Sequence, residues 1–153
     1  MIRRCRRSDR ESWCRLNKEF MSYEYEDENL WENPLEKGDP GEIFDAVMDS
    51  GQSPNRLYII EEESEVVGFV NAVVFTSIWA HGEVLFIDDL FITERCRNRG
   101  YGGKALRELE DLVNKEGFRR VQLLAEDTNP GAVSFYEREE YRRQRINLFC
   151  KYL

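Results

Sequence analysis

A chain of 153 residues with 41% hydrophobic and 34% charged residues is long enough to bury a core and is typical of a globular protein. The formal net charge of −8 argues against nucleic acid as a partner, and no apolar run approaches the ~20 residues that span a bilayer. Four scattered cysteines lack the spacing of a metal site, so we expect one domain, residues 1–153, in the cytoplasm, with reduced thiols, no metal and no membrane contact.

The first third of the chain predicts one strand and two helices. Ile2–Cys5 is the strand, and Ser8 caps a helix that runs to about Tyr23. Residues 24–40 are polar and predict a long loop. Glu42–Asp49 then predicts a short second helix.

The rest of the chain predicts paired strands followed by alternating helices and strands. Leu57–Glu61 and Val66–Trp79 are typical of a hairpin, and a turn leads into a strand over Val84–Ile92. The elements expected after it are a helix over Tyr101–Glu116, a strand over Arg120–Ala125, a helix over Asn129–Arg138 and a last strand over Ile146–Tyr152. This order predicts a mixed sheet flanked by helices.

The segment between the strand over Val84–Ile92 and the following helix has the composition of a phosphate-binding loop. Arginines 95, 97 and 99 precede glycines 100, 102 and 103, which lie where the first helical turn begins. A helix start has unpaired N–H groups and the positive end of the helix dipole, and glycine lets a phosphate approach the backbone closely. The segment therefore predicts a phosphate cradle.

Two other phosphate-binding motifs fit this segment less well. A nucleoside-triphosphate loop needs a glycine where Asn98 stands and a serine or threonine where Ala105 stands. The run from Gly100 to Ala105 does fit a dinucleotide fingerprint, but that motif belongs at the first strand of a doubly wound sheet. Here four predicted strands precede it and about 50 residues follow it, so its position in the chain argues against it.

Two blocks resemble a known family. Arg97-x-x-Gly100-x-Gly102 is similar to the acyl-CoA pyrophosphate motif of the GNAT superfamily of N-acetyltransferases, and Asn129–Glu137 is similar to that family's Asn-x-x-Ala-x-x-Phe-Tyr helix. The resemblance implies an α/β fold with a mostly antiparallel mixed sheet of six to seven strands, a central parallel pair formed by the fourth and fifth strands, and about four helices.

The resemblance also implies a binding site for acetyl-CoA. Backbone N–H groups of the cradle would bind the pyrophosphate, the end of the fourth strand would pair with the pantetheine arm, and a backbone N–H near Leu90 or Phe91 would polarise the thioester carbonyl. Tyr136 would lie near the sulfur as general acid. The residues implied to bind the cofactor are Leu90, Phe91, Ile92, Arg97, Asn98, Arg99, Gly100, Tyr101, Gly102, Gly103, Lys104, Asn129 and Phe135.

Acyl transfer to an amine needs a base, because a primary ammonium has an unperturbed pKa near ~10.4. Asp88 and Asp89 are the candidates, since two adjacent acids in an apolar strand are costly unless they are used or solvated. Strand alternation places one on each face, and a bulge could turn both inward. The pair is similar to the Glu-Asp pair of polyamine acetyltransferases, which favours Asp88. A salt bridge to a neighbouring strand is the other interpretation.

The sequence departs from the family pattern after Phe135-Tyr136. The family has a glycine before the next aromatic residue, whereas Glu140 precedes Tyr141 here. Because a left-handed helix cap suits glycine best, this turn is expected to be strained.

The acidic stretch in the first third is the only indication of the acceptor. Glu24, Glu26 and Glu28, with Trp31 as an aromatic wall, would attract a small cationic amine that attacks acetyl-CoA directly in a ternary complex. A solvated acidic face explains the same residues. Acetylation of a protein lysine or N-terminus, and a non-catalytic acyl-CoA sensor, are the alternatives. Pairing of two copies through their C-terminal strands is implied by the resemblance alone.

Overall fold

The computed structural model describes residues 1–27 and 33–151, and the side chains of residues 26 and 27 lie outside that description. The elements in chain order are strand β1 (Ile2–Arg4), helices α1 (Arg10–Asp27) and α2 (Pro40–Asp49), strands β2 (Asn55–Glu62), β3 (Glu65–Ser77) and β4 (Gly82–Ile92), helix α3 (Tyr101–Lys115), strand β5 (Arg120–Leu123) and helix α4 (Pro130–Arg138). No helix in the described ranges is long and apolar enough to cross a membrane.

The sheet is mixed, and its strands lie in the order β1-β2-β3-β4-β5. The first four strands are antiparallel, and β5 pairs with β4 in parallel. The predicted parallel pair of the fourth and fifth strands is thus confirmed, with four α-helices in the described residues, but the pair lies at one edge of the sheet and not at its centre.

The strand count differs from the six to seven expected, because residues 1–27 and 33–151 contain five strands. The last predicted strand, Ile146–Tyr152, is not formed in the part that is described, where residues 142–151 are exposed and have no regular secondary structure. Ile146 and Leu148 alternate as in a strand, and they are 64% and 67% exposed. An alternating pattern favours a strand, but a strand also needs the edge of another strand to pair with.

Each face of the sheet has its own apolar core, as the alternation of strand side chains requires. One core packs beneath α3, whose inward face repeats at helical spacing through Leu106, Leu109 and Val113. The other packs beneath α1 and α2, where Trp13 and Phe44 meet. Neighbouring residues of one strand therefore serve opposite cores.

The start of α1 is tied to the sheet by ion pairs. The guanidinium of Arg3, in β1, contacts Asp9 at 2.7 Å and Glu61 at 2.6 Å. Hydrogen bonds from Arg3 hold the pKa of Asp9 below its usual value. Because Asp9 is only 8% exposed, this pairing fixes where α1 begins, and α1 carries side chains that reach the candidate site.

Candidate active site

A one-residue bulge at Asp88 changes which way β4 faces. Asn71 of β3 lies opposite Asp89, whereas the next residue of β3, Ala72, lies opposite Ile87, so Asp88 has no partner. Ile87 packs in the core beneath α3, while Phe91 packs in the core beneath α1. A regular strand would put Ile87 and Asp89 on the same face. The bulge instead turns Asp89 towards α1 and leaves Asp88 exposed.

Beyond the bulge, β4 has an open edge. In the part of the chain that the structure describes, β5 pairs with residues Val84–Ile87 of β4 and stops at Leu123. β4 continues for five more residues to Ile92, paired there with β3 alone. Apart from the Ile92 carbonyl, which accepts from Arg97 Nε, the open backbone groups of residues 88–92 can pair with another extended chain, which is how a strand-like ligand binds a sheet edge.

The open edge ends close to the start of α3, where backbone amides are available. The helical ladder begins with the N–H of Lys104, which donates to the Gly100 carbonyl at 3.0 Å. The N–H groups of Tyr101, Gly102 and Gly103 precede that bond, and among the described residues no side chain caps the helix. Gly100 has a left-handed φ of +81°. This helix start can bind an anion through its amides and dipole.

Asp89 belongs to a hydrogen-bonded network that reaches α1. The Asn71 side-chain amide donates to an Asp89 oxygen at 2.8 Å and to the Asn17 oxygen at 2.9 Å. Trp13 Nε1–H donates to the Asn71 oxygen at 3.0 Å. Burial raises the pKa of Asp89 to about 6, and the hydrogen bond from Asn71 offsets part of this effect. The charge of Asp88 adds to the rise.

Tyr136 of α4 is the second ionisable group at this place. Burial, with a contribution from the Asp89 charge, raises the pKa of Tyr136 to about 12. Its ring packs edge-on against Phe135 and Tyr141, with centroids 5.0 and 5.8 Å away. The half-buried Asp89 carboxylate is therefore near enough to Tyr136 to affect the ionisation of the phenol.

The end of α4 fixes the Tyr136 ring. The Tyr141 N–H donates to the Tyr136 carbonyl at 3.0 Å, and the Glu140 N–H donates to the Glu137 carbonyl at 3.2 Å. These bonds form a Schellman motif, with Tyr141 packed on Tyr136. Glu140 has a φ of +67°, so the strain expected where the family has glycine is found at this residue.

Replacing Glu140 by glycine is expected to stabilise the fold. A side chain in the left-handed region costs about 1–2 kcal/mol, and glycine removes this cost. At this chain length about 1 kcal/mol corresponds to a rise in Tm of roughly 2–4 °C, measurable by thermal unfolding. Glu137→Gly, within the helix, is the matched control and should lower Tm. A lower Tm for Glu140→Gly would contradict the interpretation.

Several residues expected to bind the cofactor are committed to contacts within the protein. The Arg97 guanidinium lies 4.7 Å from the centre of the Tyr23 ring and 5.3 Å from that of Phe91. Its Nε donates to the Ile92 carbonyl at 3.0 Å. The Lys104 N–H lies in the helical ladder, unlike the expectation that it faces the phosphate, and its ammonium pairs with Glu62 at 2.9 Å.

The remaining predicted residues fall into two groups. Asn129 caps α4, since its side-chain oxygen accepts from the Ala132 N–H at 3.0 Å. Asn98 and Arg99 are exposed in the loop before α3, and Asn98 has a left-handed φ of +60°. Of the predicted acceptor-binding residues, Glu24 is half-buried on α1. Glu28 and Trp31 lie outside the described residues, as does the side chain of Glu26.

Comparison with known proteins decides the family. The model of the acetyltransferase (GNAT) family matches residues 10–141, which is most of the chain and includes the cradle, Asp89 and Tyr136. The chain belongs to the GNAT acetyltransferase family.

Curated relatives of this GNAT chain are distant. It is 29% identical over 85 residues to the uncharacterized N-acetyltransferase YhfO of Bacillus subtilis (strain 168), covering 56% of this chain and 57% of that protein. It is 25% identical over 85 residues to the D-amino-acid N-acetyltransferase HPA3 of Saccharomyces cerevisiae, covering 56% and 53%. The chain thus spans little more than half the length of the curated relatives it matches.

The fold of this GNAT protein is shared with solved structures. One is an aminoglycoside acetyltransferase, meta-AAC0020, from an uncultured soil metagenomic sample, in complex with sisomicin. It has a TM-score of 0.79 and 17% identity, and the match covers all of this chain and 95% of that one. At this identity the likeness concerns the fold.

The sequence motifs of the GNAT family do not include the residues that form the hydrogen-bonded network around Asp89. Asn71 interrupts an apolar strand, and Asn17 lies one turn after Trp13 on the otherwise apolar face of α1. Asn17 is buried and Asn71 is half-buried, and a polar residue in an otherwise apolar segment is the signal that could have identified them. Nothing in the spacing of the residues indicates that the three side chains meet.

Proposed function

We propose that this GNAT protein transfers an acetyl group from acetyl-CoA to the primary amine of a small cationic acceptor, by direct attack within a ternary complex. The observation that carries the proposal is the geometry of β4. Its open edge runs from a half-buried carboxylate, Asp89, to the free amides at the start of α3, with Tyr136 beside it. An anion cradle, a peptide-binding edge and an acid–base pair are what acyl transfer from this donor requires.

The chain fits acetyl-CoA in two ways. The N–H groups of Tyr101, Gly102 and Gly103 precede the helical ladder and can donate to a diphosphate, and residues 88–92, apart from the Ile92 carbonyl, offer backbone groups to the amides of pantetheine. A Cβ at Gly100 would meet nothing within 4 Å, so the loop leaves space in front of the helix. When bound, acetyl-CoA supplies an acyl group already activated as a thioester.

Asp89 is the proposed base. With a pKa of about 6 it is ionised at neutral pH, yet it is a stronger proton acceptor than an ordinary aspartate. It can therefore take a proton from the acceptor ammonium, directly or through water. Asp88, which the resemblance to polyamine acetyltransferases favoured, is exposed on the bulge and lacks this environment.

Tyr136 is the proposed acid. With a pKa of about 12 it keeps its proton at neutral pH and can give it to the departing sulfur. Direct attack needs no enzyme nucleophile. Cys14 and Cys96 are buried, and burial raises the pKa of Cys5 to about 12, so these three thiols are poorly suited to form an acyl-enzyme.

Two of the compared proteins support a small-molecule acceptor, and the acidic first third supports a positive charge on it. These two proteins are named for small-molecule acceptors, D-amino acids in one and aminoglycosides in the other. Release of free thiol from acetyl-CoA should be measured against polyamines, aminoglycosides, amino acids, a lysine peptide and a free peptide N-terminus. Turnover with the peptides alone would show that the acceptor is a protein amine and not a small cationic molecule. Cytoplasmic location and a homodimer stay predictions.

Replacing Tyr136 by phenylalanine tests the acid. Loss of the hydroxyl should lower kcat by about 10²-fold with little change in acetyl-CoA affinity. Tyr141→Phe is the matched control, because it keeps the ring against Tyr136 and loses only a hydrogen bond to Glu110. We expect at most a few-fold effect from it. Tight acetyl-CoA binding without turnover on any amine would favour a sensor over an enzyme.

A further inference from the structure

We propose that Asn71 is a positioning residue for the base: its amide, held in one orientation by the Trp13 indole, aims an N–H at the Asp89 carboxylate and fixes it at the bulge of β4. This inference rests on the proposed function in taking Asp89 as the base. The hydrogen bond between Asn71 and Asp89 is present without substrate, so it can be tested whether or not the acceptor is known.

The orientation of the Asn71 amide follows from its neighbours. An indole N–H can only donate, so the atom 3.0 Å from Trp13 Nε1 must be the Asn71 oxygen. The amide nitrogen then faces Asp89 and Asn17, with one hydrogen for each, at 2.8 and 2.9 Å. Turning the amide over would break three hydrogen bonds and bring its oxygen against a carboxylate.

Trp13 is itself firmly placed. It is 3% exposed, and its ring packs on Phe44 and Phe69 with centroids 5.3 and 6.3 Å away. Its carbonyl accepts from the Asn17 side chain at 2.8 Å. The first turns of α1 therefore set the direction of the hydrogen bond that Asp89 receives.

The other groups that face Asp89 show why this hydrogen bond matters for the ionisation of the carboxyl. Asp88, on β4 itself, is a like charge, and Tyr136, on α4, is a neutral phenol. The side chains reaching the network from α1, Trp13 and Asn17, are uncharged. The Asn71 N–H thus opposes both burial and the Asp88 charge, and it keeps Asp89 ionised at neutral pH.

The test follows the Asp89 carboxyl by ¹³C NMR titration of the protein without substrate. The wild-type midpoint should lie near pH 6. Asn71→Leu, of similar volume, removes the donor and should raise the midpoint by about one pH unit. Trp13→Phe keeps an aromatic ring in the core but removes the indole donor and frees the amide to turn, and it should shift the midpoint in the same direction by a smaller amount.

Phe44→Leu is the matched control, because it loosens the packing around Trp13 without touching the hydrogen bonds. It should lower Tm and leave the midpoint in place. If Asn71→Leu does not fold, the Asp89 midpoint of Trp13→Phe tests the inference instead. An unchanged Asp89 midpoint in the folded variants overturns the inference. In the active enzyme, the acid limb of the kcat/KM profile should move together with the Asp89 midpoint. If the midpoint shifts in the variants but the wild type acetylates no amine, the proposed function is rejected and the contact between Asn71 and Asp89 still stands.

Discussion

Replacing Asp89 by asparagine is expected to lower kcat/KM for acetyl transfer by about 10²- to 10⁴-fold, the usual contribution of a positioned base. Asparagine has nearly the same shape, and its oxygen can still accept from the Asn71 amide, so the site should stay folded. In the wild type the base is active when ionised, so kcat/KM should fall as the pH drops below about 6. In Asp89→Asn this acid limb should disappear from the pH profile.

Asp88→Asn is the matched control for this experiment. The residue is adjacent and has the same side chain, but it is exposed on the bulge and has no partner in β3. Removing its charge should change kcat/KM less than about threefold. Because the Asp88 charge raises the pKa of Asp89, the acid limb should move slightly to lower pH. A larger loss from Asp88→Asn than from Asp89→Asn would reverse the assignment of the base.

Replacing Gly100 by aspartate is expected to weaken acetyl-CoA binding by about 100-fold, equivalent to ~2.8 kcal/mol. A side chain at this position would enter open space at the start of α3, so the new carboxylate would lie beside the amides proposed to bind the diphosphate. Aspartate tolerates the left-handed φ of +81° better than most residues, which protects the fold. Isothermal titration with acetyl-CoA measures the change.

Gly100→Asn separates the charge from the side chain. Asparagine has the size of aspartate and the same tolerance for left-handed backbone, but no charge, so we expect a loss of affinity of only a few-fold. Raising the ionic strength should reduce the difference between the two variants, because salt screens charge repulsion. Equal affinities of the aspartate and asparagine variants would show that the anion binds elsewhere.

Most of the fold could be predicted from local patterns. The apolar periodicity of α3 is typical of a helix, the continuous apolar runs of β2 and β3 are typical of strands buried on both faces, and the order of the elements predicted the mixed sheet. The last strand could not be predicted reliably, because Ile146 and Leu148 have the pattern of a strand but pairing depends on a partner far along the chain. The glycine position at Glu140 was identified because left-handed backbone is a local requirement.

The site was only partly predictable. The cradle and Tyr136 are indicated by motifs, and the two adjacent acids at residues 88 and 89 were the candidates for the base, of which the resemblance favoured Asp88. Their separation depends on one bulge, which is set by how β3 and β4 pair and not by either strand alone. The contacts of Asn71, and the stacking of Arg97 on Tyr23, join residues 18 to 74 positions apart, and no short motif describes them.

The raised pKa of Asp89 also affects the conformational stability of the protein. Because this pKa rises from about 3.8 in the unfolded chain to about 6 in the folded one, the folded protein binds the proton more tightly between these pH values. The contribution of Asp89 to conformational stability should therefore decline as the pH increases through that interval, by up to about 3 kcal/mol, and remain at the lower level above it. This contribution is thus smallest in the pH range where the proposed base is ionised.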